Sequence, residues 1–427
     1  MTNQALFEFI RRSPSRYHAV AEAARQLEER GFLRLEEGES WQICGGGKYY
    51  VTRNGSSLIA FRVPKGEKRG FMLSASHSDS PAFRLREDGQ LESAGYLRLS
   101  VERYGGMICA SWLDRPLSLA GRLLVKTPQG LESRLVELDQ DLMIIPHVAI
   151  HMDRKVNEGK TYAITPDMLP LYGMAGSLGV STLLAQKVGV EPADVLGMDV
   201  YVYNRQSGTL LGAEQELIAA PRLDDLQCAF ACLRGFLQAE EGESIPVYCL
   251  FDNEEVGSET RQGAASTLLS DTLQRINTAL GGTAEDYCRR LANSLMVSAD
   301  NAHAVHPNHP ELADVKSRPM PNGGVVVKID PRYATDGVSA AAFRSLCQEA
   351  GVPVQRYENR ADLPGGSTLG NISAARVPVR TVDVGLAQLA MHSAFETAGS
   401  RDTEHLLRVM KLFFSKSFAE QGDSFRW

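Results

Sequence analysis

The chain has 427 residues, 43% of them hydrophobic and 23% charged, with a formal net charge of −7. At roughly 100–200 residues per domain this suggests two or three domains and a large buried core. An acidic balance without basic runs excludes a surface for nucleic acid or anionic membrane, and no apolar run approaches the ~20 residues that span a bilayer.

Met1 to Arg12 reads as a short amphipathic helix rather than a secretion signal, since no basic region precedes an apolar stretch. The seven cysteines (Cys44, Cys109, Cys228, Cys232, Cys249, Cys288, Cys347) are scattered and mostly in apolar contexts, which suits buried free thiols in a reducing cytoplasm. Ser15 to Gly31 is a predicted helix with Ala19, Val20, Ala23 and Leu27 at helical spacing. Asn54-Gly55 lies between two β-like runs and predicts a hairpin. Phe71 to Ser76 is the next predicted strand, and it runs into His77-Ser78-Asp79. There an imidazole can ligate a metal while the carboxylate two residues on orients it. A surface histidine near a turn is the plainer alternative.

From about Leu85 to Glu214 short β-like runs and turns dominate, with a helix-like segment from about Ala175 to Val188. This predicts a β-rich domain (85–214) inserted into an α/β domain (1–84 plus 215–427). Within the insertion, Ile144 to Met152 carries His147 and His151 in an apolar setting that by itself favours buried structural histidines. The α/β pattern resumes at Pro221-Arg222-Leu223-Asp224-Asp225, where aspartates at a helix start usually act as caps. The apolar run Val247 to Phe251 ends at Asp252-Asn253-Glu254-Glu255. In open α/β sheets ligands bind outside the carboxyl ends of strands, and adjacent carboxylates on a turn can divide metal binding from proton transfer. A solvated acidic loop is the alternative there. Further strands run from Leu295 to Ala299, before Asp300, and from Gly324 to Ile329, which includes Lys328. A helix spans about Thr335 to Gly351. The glycine-rich turn around Gly366 and Ser367 offers N–H groups to a carbonyl or carboxylate. Arg380 to Gly385 precedes Met391-His392-Ser393, and a last helix spans about Thr403 to Phe418.

His77, Asp224, Glu255, Asp300 and His392 are oxygen and nitrogen donors without a thiolate, a set that suits zinc, with manganese or cobalt as substitutes. Five such donors fit two metals ~3.5–4 Å apart bridged by a carboxylate, and Glu254 would act as the base that collects a proton from water.

The strings Ser76-His77-Ser78-Asp79-Ser80-Pro81, Pro221-Arg222-Leu223-Asp224, Asp252 to Ser258, Ser298 to Asn308 and Met391-His392-Ser393 resemble the aspartyl aminopeptidase family of dizinc metallopeptidases. The resemblance runs in order over nearly the whole chain. It implies that His77 and Asp300 hold one zinc and Glu255 and His392 the other, with Asp224 between them. Glu254 is then the general base, and Asp79 orients His77. It also implies a dimerisation role for the insertion, a tetrahedral dodecamer, and a histidine (His151, with His147 the alternative) that reaches a neighbouring subunit's site and steadies an oxyanion. Around the peptide it places Lys328, Tyr333, Gly366, Ser367 and His303. Lys328 would pair with an acidic first residue. Asp330 stands where the family pattern has Asn, and its carboxylate would weaken that preference. The expected activity is removal of an N-terminal Asp or Glu from peptides in the cytoplasm. A neutral-preferring aminopeptidase, a dizinc carboxypeptidase or N-deacylase, and a non-catalytic binding protein are the alternatives.

Overall fold

The structure, a computed structural model, describes residues 1–362, 366 and 369–426. Its central sheet has nine strands, in the spatial order Leu33–Leu35, Lys48–Arg53, Ser57–Arg62, Ile245–Phe251, Phe71–His77, Leu295–Ala299, Arg380–Gly385, Val325–Lys328 and Val354–Tyr357. The middle strands read as continuous apolar runs because both of their faces are covered. Along Ile245–Phe251, Tyr248 and Leu250 join one core layer, while Ile245, Val247, Cys249 and Phe251 join the other. That alternation is the two-residue period of a pleated strand. The first layer packs the helices Thr2–Arg11, Arg16–Glu28, Leu223–Gln238, Gly337–Glu349 and Asp402–Phe413, and the second packs Leu268–Ala279 and Leu369–Ala374.

The Asn54-Gly55 hairpin forms as its turn chemistry requires, with φ of 59° and 66° at the two positions. The helix expected from Ala175 starts later, at Val180, because Gly176 adopts φ of 80° and Gly179 is extended at the N-cap. All seven cysteines are free, with Cys228, Cys232, Cys249 and Cys347 buried and Cys44 and Cys288 exposed. No helix among the described residues is long and apolar enough to cross a membrane.

A second sheet of six strands, all antiparallel, runs in the order Gly130–Glu137, Leu117–Thr127, Val195–Asn204, Ala82–Ser93, Tyr96–Tyr104 and Leu171–Met174. It closes over its own core, which includes Phe83, Leu99, Leu119, Leu123, Val200 and Val202. A third sheet of five short strands joins Thr209–Leu211, Leu217–Ala220, Glu396–Gly399, Ala387–Leu389 and Ala302–His303. Small as it is, this sheet gathers Asp224, His392 and Glu396 at or just beyond the ends of its strands.

Candidate active site

Phe71–His77 lies between two parallel neighbours, Ile245–Phe251 with Phe251 opposite His77, and Leu295–Ala299. The three strands therefore end along one edge, which delivers His77, the Glu254-Glu255 turn and Asp300 to a common crevice. The turn is tight. Asn253 and Ser258 take left-handed backbone with φ of 63° and 62°, and Gly257 has φ of 97°. Asn253 anchors it, with its side-chain oxygen accepting from Thr260 Oγ1 and Gln262 Nε2, both at 2.8 Å.

Asp224 arrives from the opposite side. It stands at the start of the Leu223–Gln238 helix but makes no cap; its backbone is extended, with φ of −80° and ψ of 110°. Its Oδ1 lies 3.3 Å from His77 Nε2, and its Oδ2 lies 3.4 Å from His392 Nε2. His392 Nε2 is also 3.4 Å from Glu255 Oε2, and His77 Nε2 is 3.9 Å from Asp300 Oδ1. The donor atoms of His77, Asp224 and Asp300 fall within 4.8 Å of one another, as do those of Asp224, Glu255 and His392. Asp224 belongs to both groups.

The ring nitrogens are assigned by their neighbours. His77 Nδ1 donates to the Asp79 carbonyl at 3.0 Å and lies 3.5 Å from Asp79 Oδ1, so the lone pair of Nε2 faces the carboxylates. On His392, Nε2 faces the carboxylates of Asp224 and Glu255. Asp79 is buried and also accepts the backbone N–H groups of Glu254 and Glu255, each at 3.2 Å. One residue thus holds the imidazole through its carbonyl and the glutamate turn through its carboxylate.

The residues present fit a bound cation. Asp224 Oδ1 and Glu255 Oε1 are buried without a hydrogen bond, an arrangement that costs about 1–3 kcal/mol or more per atom unless something else satisfies it. Burial alone would push the His77 imidazole down, but the surrounding carboxylates of Asp224, Asp300 and Asp79 carry it well above its ordinary value. Burial pushes Glu254 up to about 8; His77 opposes this, and the charges of Asp300, Asp79 and Asp224 reinforce it. Burial, then Asp224, drives Glu255 in the same direction. Carboxylates so crowded take up protons unless a cation neutralises them. The nitrogen and oxygen donors suit zinc.

The other expected residues divide. Lys328 is buried, with Nζ 3.6 Å from Asp300 Oδ2 and 5.7 Å from the centre of the Tyr333 ring. His303 packs its ring against Tyr357 with centroids 5.9 Å apart, and it lines a cavity shared with Gly366. Ser367 lies outside the described residues. His147 and His151 are both exposed, not buried as their apolar neighbours suggested. His147 pairs with Asp114 and, at 3.2 Å, with the Tyr162 hydroxyl, and among the described residues His151 makes no hydrogen bond to the cluster.

One further carboxylate, Glu396, is not singled out by the sequence, and Asp225 has only a helix-cap reading there. Asp225 Oδ2 accepts the His77 backbone N–H at 3.0 Å. Glu396, fully buried, accepts the backbone N–H of His392 at 2.7 Å and of Asp224 at 3.1 Å. Each is adjacent or nearly so to a motif residue, which was the available signal. The second sheet also reaches the site, just past its Tyr96–Tyr104 strand. Gly105, with φ of +74°, lies so close that a Cβ there would meet Glu255 Cβ at 3.1 Å.

Residues 9–414 match the family described as Aminopeptidase I zinc metalloprotease (M18). The chain is 40% identical over 422 residues to a protein of Clostridium novyi named "Probable M18 family aminopeptidase 2", covering 96% of this chain and 98% of the relative. It is similar to a solved structure described as the Ape4 and Nbr1 complex, with a TM-score of 0.94 and 34% identity over 97% of this chain and 85% of that one. It is also similar to the S. cerevisiae mApe1 dodecamer, with a TM-score of 0.85 and 31% identity over 96% of each chain. The buried nitrogen and oxygen donor cluster, the α/β fold and these similarities agree: the chain belongs to the M18, or aminopeptidase I, family of zinc metalloproteases, and is a zinc-dependent aminopeptidase.

Proposed function

We propose that this aminopeptidase removes N-terminal Asp or Glu from peptides and holds two zinc ions per chain, His77 and Asp300 serving one, Glu255 and His392 the other, and Asp224 both. The observation that carries the metal count is the division of the Asp224 oxygens between the two histidines, at 3.3 and 3.4 Å. When bound, zinc supplies Lewis acidity that polarises a peptide carbonyl and makes water nucleophilic near neutral pH.

The chain's own residues do the rest. Glu254, raised by burial, accepts the proton of the attacking water and returns it to the leaving amine. Asp79 keeps the His77 ring and the Glu254-Glu255 backbone in register. Lys328 supports an acidic first residue, because its ammonium has three donors and one carboxylate neighbour does not exhaust them. Asp330 is engaged elsewhere, accepting from Asn359 Nδ2 and the Arg332 N–H, each at 3.0 Å, so it leaves the Lys328 charge available. Tyr333, His303, Gly366 and Ser367 form the rest of the peptide site in this reading.

We further propose a homo-oligomer, a tetrahedral dodecamer, in which the insertion (85–214) forms the dimer contact and His151 reaches a neighbouring chain's site. Exposed Leu131, Leu135 and Leu196 on the insertion and exposed Val148, Ile150 and Met152 around His151 support this. The free cysteines support a reducing cytoplasm.

The test is metal analysis combined with a panel of aminoacyl reporters. Two zincs per chain, chelator-sensitive cleavage of Asp and Glu reporters, and loss of both metals in Asp224→Asn are expected. One tightly held zinc in the parent protein, or Asp224→Asn retaining two at parental affinity, overturns the shared ligand. Preference for apolar reporters overturns the role of Lys328, and a light-scattering mass of a monomer or dimer overturns the dodecamer.

A further inference from the structure

Tyr104 ends a strand of the inserted sheet, yet its hydroxyl lies inside the active-site network. It is 2.6 Å from Asp79 Oδ2, 2.8 Å from Arg16 Nη1 and 3.0 Å from Asn253 Nδ2. The direction of these bonds follows from chemistry. A guanidinium and an amide nitrogen only donate, so the phenol oxygen accepts from both, and its single proton is left for Asp79. Asp79 Oδ2 then accepts from Tyr104 and from the Glu255 N–H, while Oδ1 accepts from the Glu254 N–H.

Arg16 makes this geometry rigid. It is buried, its guanidinium lies 4.1 Å from the Tyr104 ring centre and 4.5 Å from that of Tyr201, and Nη1 donates to Asp252 Oδ1 at 2.9 Å. Asp252 immediately precedes the glutamate turn. A helix from the N-terminal region, a strand end of the insertion and the turn of the central sheet therefore converge on one hydroxyl.

We infer that Tyr104 is a positioning residue for the aminopeptidase reaction: through its proton on the Asp79 carboxylate it orients Glu254 and Glu255 and keeps that carboxylate 3.5 Å from His77 Nδ1, so the second sheet completes the metal-binding turn of its own chain. This rests on the proposed roles of those three residues. A chain lacking the contact would keep every ligand but let the Asp79 carboxylate rotate, so that both glutamate amides would lose their common acceptor and the imidazole its neighbouring charge.

The experiment uses the full-length zinc enzyme. Tyr104→Phe removes the proton and keeps the ring against Arg16. Zinc retention against a chelator and kcat are each expected to fall by about 10–100-fold, the usual cost of losing a group that orients a ligand, with KM changed by less than about twofold. Asp79→Asn combined with Tyr104→Phe should lose no more than Asp79→Asn alone, since one residue acts through the other. Tyr201→Phe, which removes the hydroxyl of the other ring beside Arg16, should match the parent. Tyr104→p-aminophenylalanine, a weaker donor of the same shape, should fall between Phe and the parent, and it carries the test if the Phe variant does not fold. Parental zinc retention and kcat in either Tyr104 variant, or losses that add in full to those of Asp79→Asn, overturn the inference. Failure of the parent itself to bind zinc overturns the site reading instead, so the two failures are told apart.

Discussion

His77 and His151 present opposite ways of placing an imidazole. His77 closes a buried strand, its ring is held by Asp79 and its backbone by Asp225, and every constraint comes from the same chain. His151 stands exposed on the long connection between Gly130–Glu137 and Leu171–Met174, and nothing among the described residues orients it toward the donor cluster. The difference teaches where function can be read from one chain. A strand end in a covered parallel sheet delivers its residue to a predetermined crevice, whereas an exposed loop acquires a role only from what packs against it.

The largest expected effect tests the self-contained side. Glu254→Gln keeps the size and the backbone contact to Asp79 but removes the proposed base. Its kcat should fall by about 10²–10⁴-fold, the usual range for a general acid–base group, with both zincs retained in metal analysis. Normal turnover would move the base to another residue. The next tests the loop. His151→Ala should lower kcat by about 10²–10³-fold, as removal of an oxyanion donor does, while His147→Ala should change it less than about threefold because His147 is already paired with Asp114. Equal losses in the two variants would mean that the loop matters as a fold element. Mixing His151→Ala chains with Glu254→Gln chains sharpens the comparison further: mixed assemblies should recover activity if His151 acts across subunits, and should recover none if it serves only its own chain.

The same contrast explains what the sequence could carry. The Asn54-Gly55 turn, the apolar central strands and the position of His77, Glu255 and Asp300 at or just beyond strand ends were readable because local chemistry and strand ends determine them. By position alone Asp224 reads as a helix cap and the resemblance implies a shared ligand; the fold shows that its backbone leaves the helical path and places its oxygens between two histidines. Glu396 carried only its nearness to the His392 motif, and Arg16 and Tyr104 no signal of that kind. Their bonds to Asp224, Asp252 and Asp79 join segments 172, 236 and 25 residues apart, and a glutamate, an arginine and a tyrosine each have an ordinary surface reading until those partners are known. The helix Ala284–Ala292 escaped notice for a different reason: it buries no side chain, and a Thr283–Asp286 capping box starts it.

Lys328 gives a smaller test, of selectivity. Lys328→Met removes the ammonium while keeping the stem. The ratio of Asp to Leu reporter cleavage should fall by about 10–100-fold, equivalent to the 1.5–3 kcal/mol of a hydrogen bond to a charged group. A proportional loss on both reporters would assign the lysine to Asp300, 3.6 Å away, rather than to the substrate.

His18 is the third kind of histidine, partly buried but with no carboxylate beside it. Its Nδ1 lies 2.8 Å from Ser15 Oγ. Burial, with a smaller push from Arg222, lowers its pKa to about 4 from an ordinary 6.5. The sign follows from linkage. Between these values the unfolded chain binds a proton that the folded chain refuses, so the neutral ring's contribution is intact above the ordinary value and is lost as the pH falls through the window. At about pH 5 this amounts to about 2 kcal/mol of lost stability relative to neutral pH. His18→Gln keeps a polar group near Ser15 and cannot titrate. Urea unfolding midpoints of the parent should drop more steeply than those of the variant between about pH 7 and pH 5. His77 forms the counterpart: surrounded by carboxylates, it is pushed the other way, so the direction of each shift reports whether the chain has built an acidic or an apolar setting around its imidazole. Parallel curves for parent and variant would mean that His18 accepts a proton without leaving its place, and that Ser15 and solvent satisfy the charged ring as well as the neutral one.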